Sequence, residues 1–257
     1  MYSIIKQRFL DYINSISYNQ EQEDILNVLK LMHTNRVDEL SGILVKSIYQ
    51  NDSKFDEYIS LAKIIGVLHD IGRWDQMKTH SEFSDNLAKS DHGEIGSNIL
   101  LQNDMLNGLE NKYQQIIITA VSEHNKKYIG SYDDFTQTFL NVIRDADRID
   151  NLFIEVENYG NKDKSMISVL PYSDEHQLSQ QIYDKVIKGS LANVKDLKTK
   201  IDFKFFKMVW VFDIKIEKSI EIIRENKYID DIYADIAFPD ETMQMAYEKI
   251  QQYLKSI

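Results

Sequence analysis

Leu61-Ala62-Lys63-Ile64-Ile65-Gly66-Val67-Leu68-His69-Asp70-Ile71-Gly72-Arg73 is the stretch on which the fold turns. Apolar residues at 61, 64, 65 and 68 recur at spacings of three and four, which places them on one face of a helix. That helix is expected from about Asp56 to Asp70, with Gly72 placed to end it. Its strongly apolar body closes on two ionisable side chains, His69 and Asp70. Burying such groups without partners is expensive.

Working outward, the same spacing recurs on both sides. From about Gln20 to Gln50, Leu26, Leu29, Val37, Leu40 and Leu44 form a helical stripe, and His33 lies in the middle of it. His92 shares a face with Ile95, Gly96 and Ile99, and His124 with Ile117, Ala120 and Val121. Further helices are expected near 91–103, 111–126, 133–155, 173–188, 202–225 and 240–256, the last one started by Asp240. The segment from Arg73 to Ser90 is polar and reads as a loop. Alternation suited to a strand is confined to Lys164–Leu170. The class is all-α, and residues 1–257 read as one helical domain with additional helices over about 170–257.

Composition narrows the chemistry. The chain has 257 residues, 43% of them hydrophobic, with 41 acids against 30 bases and a formal charge of −11. That balance argues against an extended nucleic-acid or anionic-membrane surface, both of which need a basic footprint. The N-terminus carries Lys6, Arg8 and Asp11 too early for a secretory apolar core, and no apolar run approaches the roughly 18 residues of a membrane span. A cytoplasmic protein is expected. No dinucleotide fingerprint, phosphate loop or Gly-x-Ser-x-Gly elbow is present. Zero cysteines exclude disulfides, thiolate metal sites and cysteine nucleophiles, so a transition-metal site must come from the six histidines plus carboxylates. Against the overall charge, Lys185 to Lys207 holds seven lysines and two aspartates. It reads as a solvated surface or as a patch gathering an anionic substrate or partner.

His33, His69, His92 and His124 point inward on separate helices, and a shared metal would give each ring a use for its lone pair. The run Arg144-Asp145-Ala146-Asp147-Arg148-Ile149-Asp150 adds carboxylates. At ~100° per residue Asp147 falls beside Leu140, Ile143 and Ile154, whereas Asp145 is turned ~160° away, toward solvent or a salt bridge. Asp150 also faces inward and would orient a ligand.

Taken together, His33, His69-Asp70 within Leu-His-Asp-Ile-Gly-Arg and Asp147 within Ala-Asp-Arg-Ile resemble the signature of the HD-domain metal-dependent phosphohydrolase superfamily, closest to small bacterial HD hydrolases. The resemblance spans about residues 20–155 and implies an α-helical core. It implies that His33, His69, Asp70 and Asp147 hold a divalent metal, with His92 and His124 at the places of a second ion. No Gly-Tyr-Pro motif supports the cyclic-dinucleotide phosphodiesterase branch.

The resemblance implies hydrolysis of a phosphate ester: a phosphomonoester, nucleotide or small phosphodiester. A bound ion lowers the pKa of its water from about 15.7 to roughly 7. Imidazole and carboxylate suit Mn, Fe, Co, Ni, Zn or Mg. Asp70 is the natural bridge between two ions, since a carboxylate can span both. With one ion, His92 or His124 would contact phosphate or protonate the leaving group. Arg73 is a candidate phosphate clamp, unless it is a helix-end surface arginine. Arg144 and Arg148 can reach the site or pair with Asp145 or Glu155, and Asn125 can donate to substrate or cap a turn. His80, Glu82 and Asp85 fall in the polar loop where a lid would lie, with His80 solvent-exposed, and His176 has no assigned role. Two other functions fit the same residues: a di-iron oxygenase, and a non-catalytic metal- or nucleotide-binding regulatory module working through the C-terminal helices.

Overall fold

The computed structural model describes residues 1–19, 22, 26–81, 85, 90–160 and 172–257. They are helical, as expected; among them the only β pairing is one isolated parallel bridge between Ser173 and Thr199. The strand candidate Lys164–Leu170 and Glu82 lie outside the described residues. Among the described residues, no helix is long and apolar enough to cross a membrane. The chain divides into two compact units, Met1–Asp147 and Arg148–Ile257.

The first unit opens with α1 (Tyr2–Ser15), which the sequence reading assigns to no element. Ile5, Phe9 and Ile13 recur every fourth position and are its buried face. A π-helical segment, Leu26–Lys30, runs into α2 (Leu31–Tyr49). The wider π turn shifts the phase of the stripe. Leu26, Val37 and Leu44 are buried as expected, but Leu29 is rotated out and is exposed.

Helix α3 (Phe55–Leu68) packs along α2. Gly66 makes this possible: a Cβ there would lie 2.7 Å from the Cα of Asp38 on α2. After a turn at His69–Ile71 the chain enters α4 (Gly72–His80), where the polarity of the sequence suggests a loop. Gly72 therefore starts a helix instead of ending one. Trp74 and Met77, three apart, bury against the core and carry the segment into helix. Helices α5 (His92–Gln102), α6 (Asn111–Glu123) and α7 (Asp134–Gly160) follow close to their expected places.

In the second unit, α8 spans Gln180–Ile187, shorter than the expected 173–188. The buried Asp202 carboxylate draws in the backbone amides of Ser179, Lys198 and Thr199, which holds the preceding chain extended. The expected 202–225 helix is three pieces: α9 (Lys200–Met208), a 3-10 turn (Val209–Asp213) and α10 (Glu217–Glu225). Thr199 and Asp202 form a capping box at its start. The break follows Asp213, whose backbone carbonyl accepts from Arg148 at 2.9 Å. Helices α11 (Tyr228–Ala234) and α12 (Glu241–Ser256) complete the unit; Asp240 caps α12 through the amide of Met243.

Three of the seven lysines of the lysine-rich segment are engaged. Lys200 pairs with Asp174 at 2.5 Å, Lys204 with Asp235 at 2.5 Å, and Lys207 lies 4.4 Å from the Trp210 ring centre.

Candidate metal centre

Four helix ends and one turn within a helix bring the polar residues of the first unit together. His33 comes from the first turn of α2, His69 and Asp70 from the turn after α3, and His92 is the first residue of α5. His124 follows the last turn of α6, and Asp147 projects from α7. All four histidines and Asp70 are buried.

Asp70 organises the centre, because its two oxygens face different partners. Oδ2 lies 3.6 Å from His33 Nε2 and 3.7 Å from His69 Nε2. Oδ1 lies 3.2 Å from His92 Nε2 and 3.6 Å from His124 Nε2. Asp147 Oδ1 joins the first group, 3.3 Å from His33 Nε2 and 3.9 Å from His69 Nε2. Within each group the imidazoles face one another, with Nε2 atoms 3.2 Å apart for His33 and His69 and 3.1 Å apart for His92 and His124.

The far sides of the rings decide what those Nε2 atoms can do. His69 Nδ1 lies 2.8 Å from the Gly66 carbonyl and His124 Nδ1 2.8 Å from the Val121 carbonyl. His92 Nδ1 lies 2.8 Å from the Asp85 carboxylate. Carbonyl and carboxylate oxygens only accept, so each Nδ1 carries the proton and each Nε2 of a neutral ring presents a lone pair. His92 and His124 then aim two lone pairs at each other beside a carboxylate oxygen. Lone pairs cannot hydrogen-bond one another; a cation between them satisfies all three. The donor set therefore fits a divalent metal, held by His33, His69, Asp70 and Asp147 or by Asp70, His92 and His124.

The electrostatics agree. Burial pushes the His69 imidazole down to about 4, which keeps it neutral. Burial acts to raise the Asp70 carboxyl, but the groups around it, the Lys30 ammonium first, outweigh it and hold it well below the usual range. Asp147 is likewise lowered against its burial, mainly by the hydrogen bond to His33. These carboxylates are charged at neutral pH.

Around this centre the remaining sequence candidates take different places. Arg73 donates Nη1 to Asp85 at 3.0 Å and to Gln76 at 2.7 Å, and its Nε lies 3.7 Å from Asp70 Oδ1. Asn125 donates to Asp91 at 2.8 Å and to Asp85 at 3.3 Å. Arg144 donates to the carbonyls of His124 at 2.9 Å and Lys126 at 2.6 Å, capping the end of α6. Arg148 binds Asp213, not the expected Asp145 or Glu155. Asp145 is 0% exposed, which rules out solvent, one of its two expected places, and leaves the salt bridge untouched. Residues 142–146 are buried without a break, so the helix has no solvent face at that level. Asp150 is buried too, His80 is exposed on the last turn of α4, and His176 bonds the Phe238 carbonyl at 3.0 Å in the second unit.

Sequence reading missed Lys30. Its Nζ lies 3.0 Å from Asp70 Oδ2. The signal was its position three residues before His33, on the same helical face.

Residues 31–152 match the family model of the HD domain. This stretch, which contains every residue of the centre except Lys30, is an HD domain, a fold typical of metal-dependent phosphohydrolases. No curated protein and no solved structure matches the chain.

Proposed function

We propose that this HD domain is a metal-dependent hydrolase of a phosphate ester: a phosphomonoester, a nucleotide or a small phosphodiester. The observation that carries the reading is the division of Asp70, one oxygen toward His33 and His69 and the other toward His92 and His124. Those residues would hold one or two divalent ions, with Asp70 within reach of both donor groups. Such ions supply Lewis acidity and an acidified water, and they neutralise charge on the leaving oxygen.

The chain's own residues do the rest. His33, His69 and Asp147 would hold one ion and His92 and His124 another, with Asp70 available to either. Lys30 lies beside one oxygen of Asp70 and Arg73 beside the other. Both cations lie where a phosphate's free oxygens need neutralising, which makes Lys30 and Arg73 the groups that receive the anion. With a single ion on the His33 side, Nε2 of His92 or His124 would face the ester instead, and only after taking up a proton on that nitrogen could the ring hand it to the leaving oxygen.

The substrate is small, because the cations that receive it are side chains of this centre within an acidic protein. The test is metal analysis of the purified chain, then a panel of phosphatase, nucleotidase and phosphodiesterase substrates with His69→Ala and Asp70→Ala as controls. Metal-dependent release of phosphate lost in both controls supports the reading. A metal-loaded chain inert across the panel, or one that consumes oxygen as a di-iron protein, refutes it.

A further inference from the structure

We propose that Asp85 is the positioning residue of the Asp70, His92 and His124 group, and that Arg73 acts on that group through it. The inference rests on reading this centre as two donor groups sharing Asp70, not on which ester is cleaved.

Helix geometry explains why such a residue is needed. His69 and His124 lie at the C-terminal ends of their helices, so each finds a carbonyl three residues back, Gly66 or Val121, to take its Nδ1 proton. His92 is the first residue of α5 and has no helical turn behind it. Its Nδ1 acceptor must come from elsewhere in the chain, and it is Asp85, at 2.9 Å through Oδ1 and 2.8 Å through Oδ2. A carboxylate in this place does more than a carbonyl. It fixes the ring with Nε2 inward and raises the basicity of that nitrogen.

Asp85 is itself gripped. It accepts from Arg73 Nη1 at 3.0 Å, Gln76 Nε2 at 2.8 Å and Asn125 Nδ2 at 3.3 Å. Gln76 is fully buried and takes a second bond from Arg73 at 2.7 Å, so α4 presents Arg73 and Gln76 as one rigid pair. The path from Arg73 through Asp85 to His92 ends on the same Asp70 oxygen that Arg73 approaches directly. A surface loop anchor would need none of these convergent donors.

The experiment is calorimetric titration of the metal-stripped chain with Co²⁺, followed in parallel by visible absorption, for the wild type and for Asp85→Asn, Asp85→Ala and Asp85→Glu. The wild type is expected to take up two equivalents. Asp85→Asn keeps an acceptor but loses the charge, and should weaken one equivalent by about tenfold, Asp85→Ala by up to about a hundredfold. Asp85→Glu should recover most of the loss, while the other equivalent and the melting temperature stay near wild type. Unchanged Co²⁺ binding in Asp85→Ala overturns the proposal, as does equal weakening of both equivalents with a fall in melting temperature. A single equivalent in the wild type overturns it as well. A blank hydrolysis panel alongside Asp85-dependent Co²⁺ binding rejects the phosphohydrolase reading and supports this one.

Discussion

Gly72→Ala is the substitution from which the structure demands most. A Cβ on residue 72 would lie 2.1 Å from the carbonyl oxygen of His92 and 2.7 Å from the amide nitrogen of Gly96. Both are backbone atoms, so no side chain can rotate aside. Real Cβ contacts do not fall below 3.0 Å, and the first turn of α5 must therefore move away from α4 by about 1 Å. Overpacking of this kind costs about 1–3 kcal/mol. For a chain of this size that corresponds to a fall in melting temperature of about 2–12 °C. The same movement displaces His92, whose Nε2 stands 3.2 Å from Asp70 Oδ1. A ligand moved by about 1 Å should cost the Asp70, His92 and His124 group about tenfold to a hundredfold in Co²⁺ affinity. Thermal unfolding with and without Co²⁺, together with calorimetry, measures both effects. A Gly72→Ala chain that melts within about 1 °C of wild type and binds Co²⁺ unchanged would show that α4 and α5 are not in the contact on which the argument depends.

The remaining predictions concern charge. Asp70→Asn removes the one carboxylate shared by both groups and should weaken every bound equivalent of Co²⁺ by about tenfold or more; loss confined to one equivalent would show that the two oxygens do not serve separate groups. Arg144→Ala removes charge-assisted bonds to the carbonyls of His124 and Lys126, and should cost about 2 kcal/mol in urea unfolding while loosening His124; an unchanged midpoint counts against the cap. Metal-free protein should lose stability as pH falls from 6.5 to about 4, because the unfolded His69 protonates at its ordinary value and the folded one only near 4. The unfolded state then binds more protons in that window, so stability rises with pH there, by about 3 kcal/mol over the full shift. Urea midpoints measured across that range should show a shallower slope in His69→Gln, and identical slopes would remove His69 as the cause.

Much of the helix pattern was legible because burial on one face imposes a spacing of three and four. That signal placed α3, α5 and α6 within a few residues and aimed His33, His92 and His124 inward. It failed where its premise fails. The π turn at Leu26–Lys30 changed the period and exposed Leu29. Residues 142–146 of α7 are enclosed all round, so Asp145 is buried although its position on the wheel points it away from the apolar stripe. Between Arg73 and Ser90 the polarity of the sequence masks the pairing of Trp74 with Met77, which carries Gly72–His80 into helix.

The sequence by itself determined the chemistry available: no thiolates, and histidines and aspartates carried to one place by amphipathic helices. Which atoms meet there was decided only by the tertiary structure. The split of Asp70 between two imidazole pairs, the engagement of Arg73 with Asp85, and the approach of Lys30 depend on helix ends converging from segments far apart in the chain. Spacing along one helix records which face a residue takes. It carries no record of what another helix brings against that face, because that contact is fixed by backbone approach, as between Gly72 and His92.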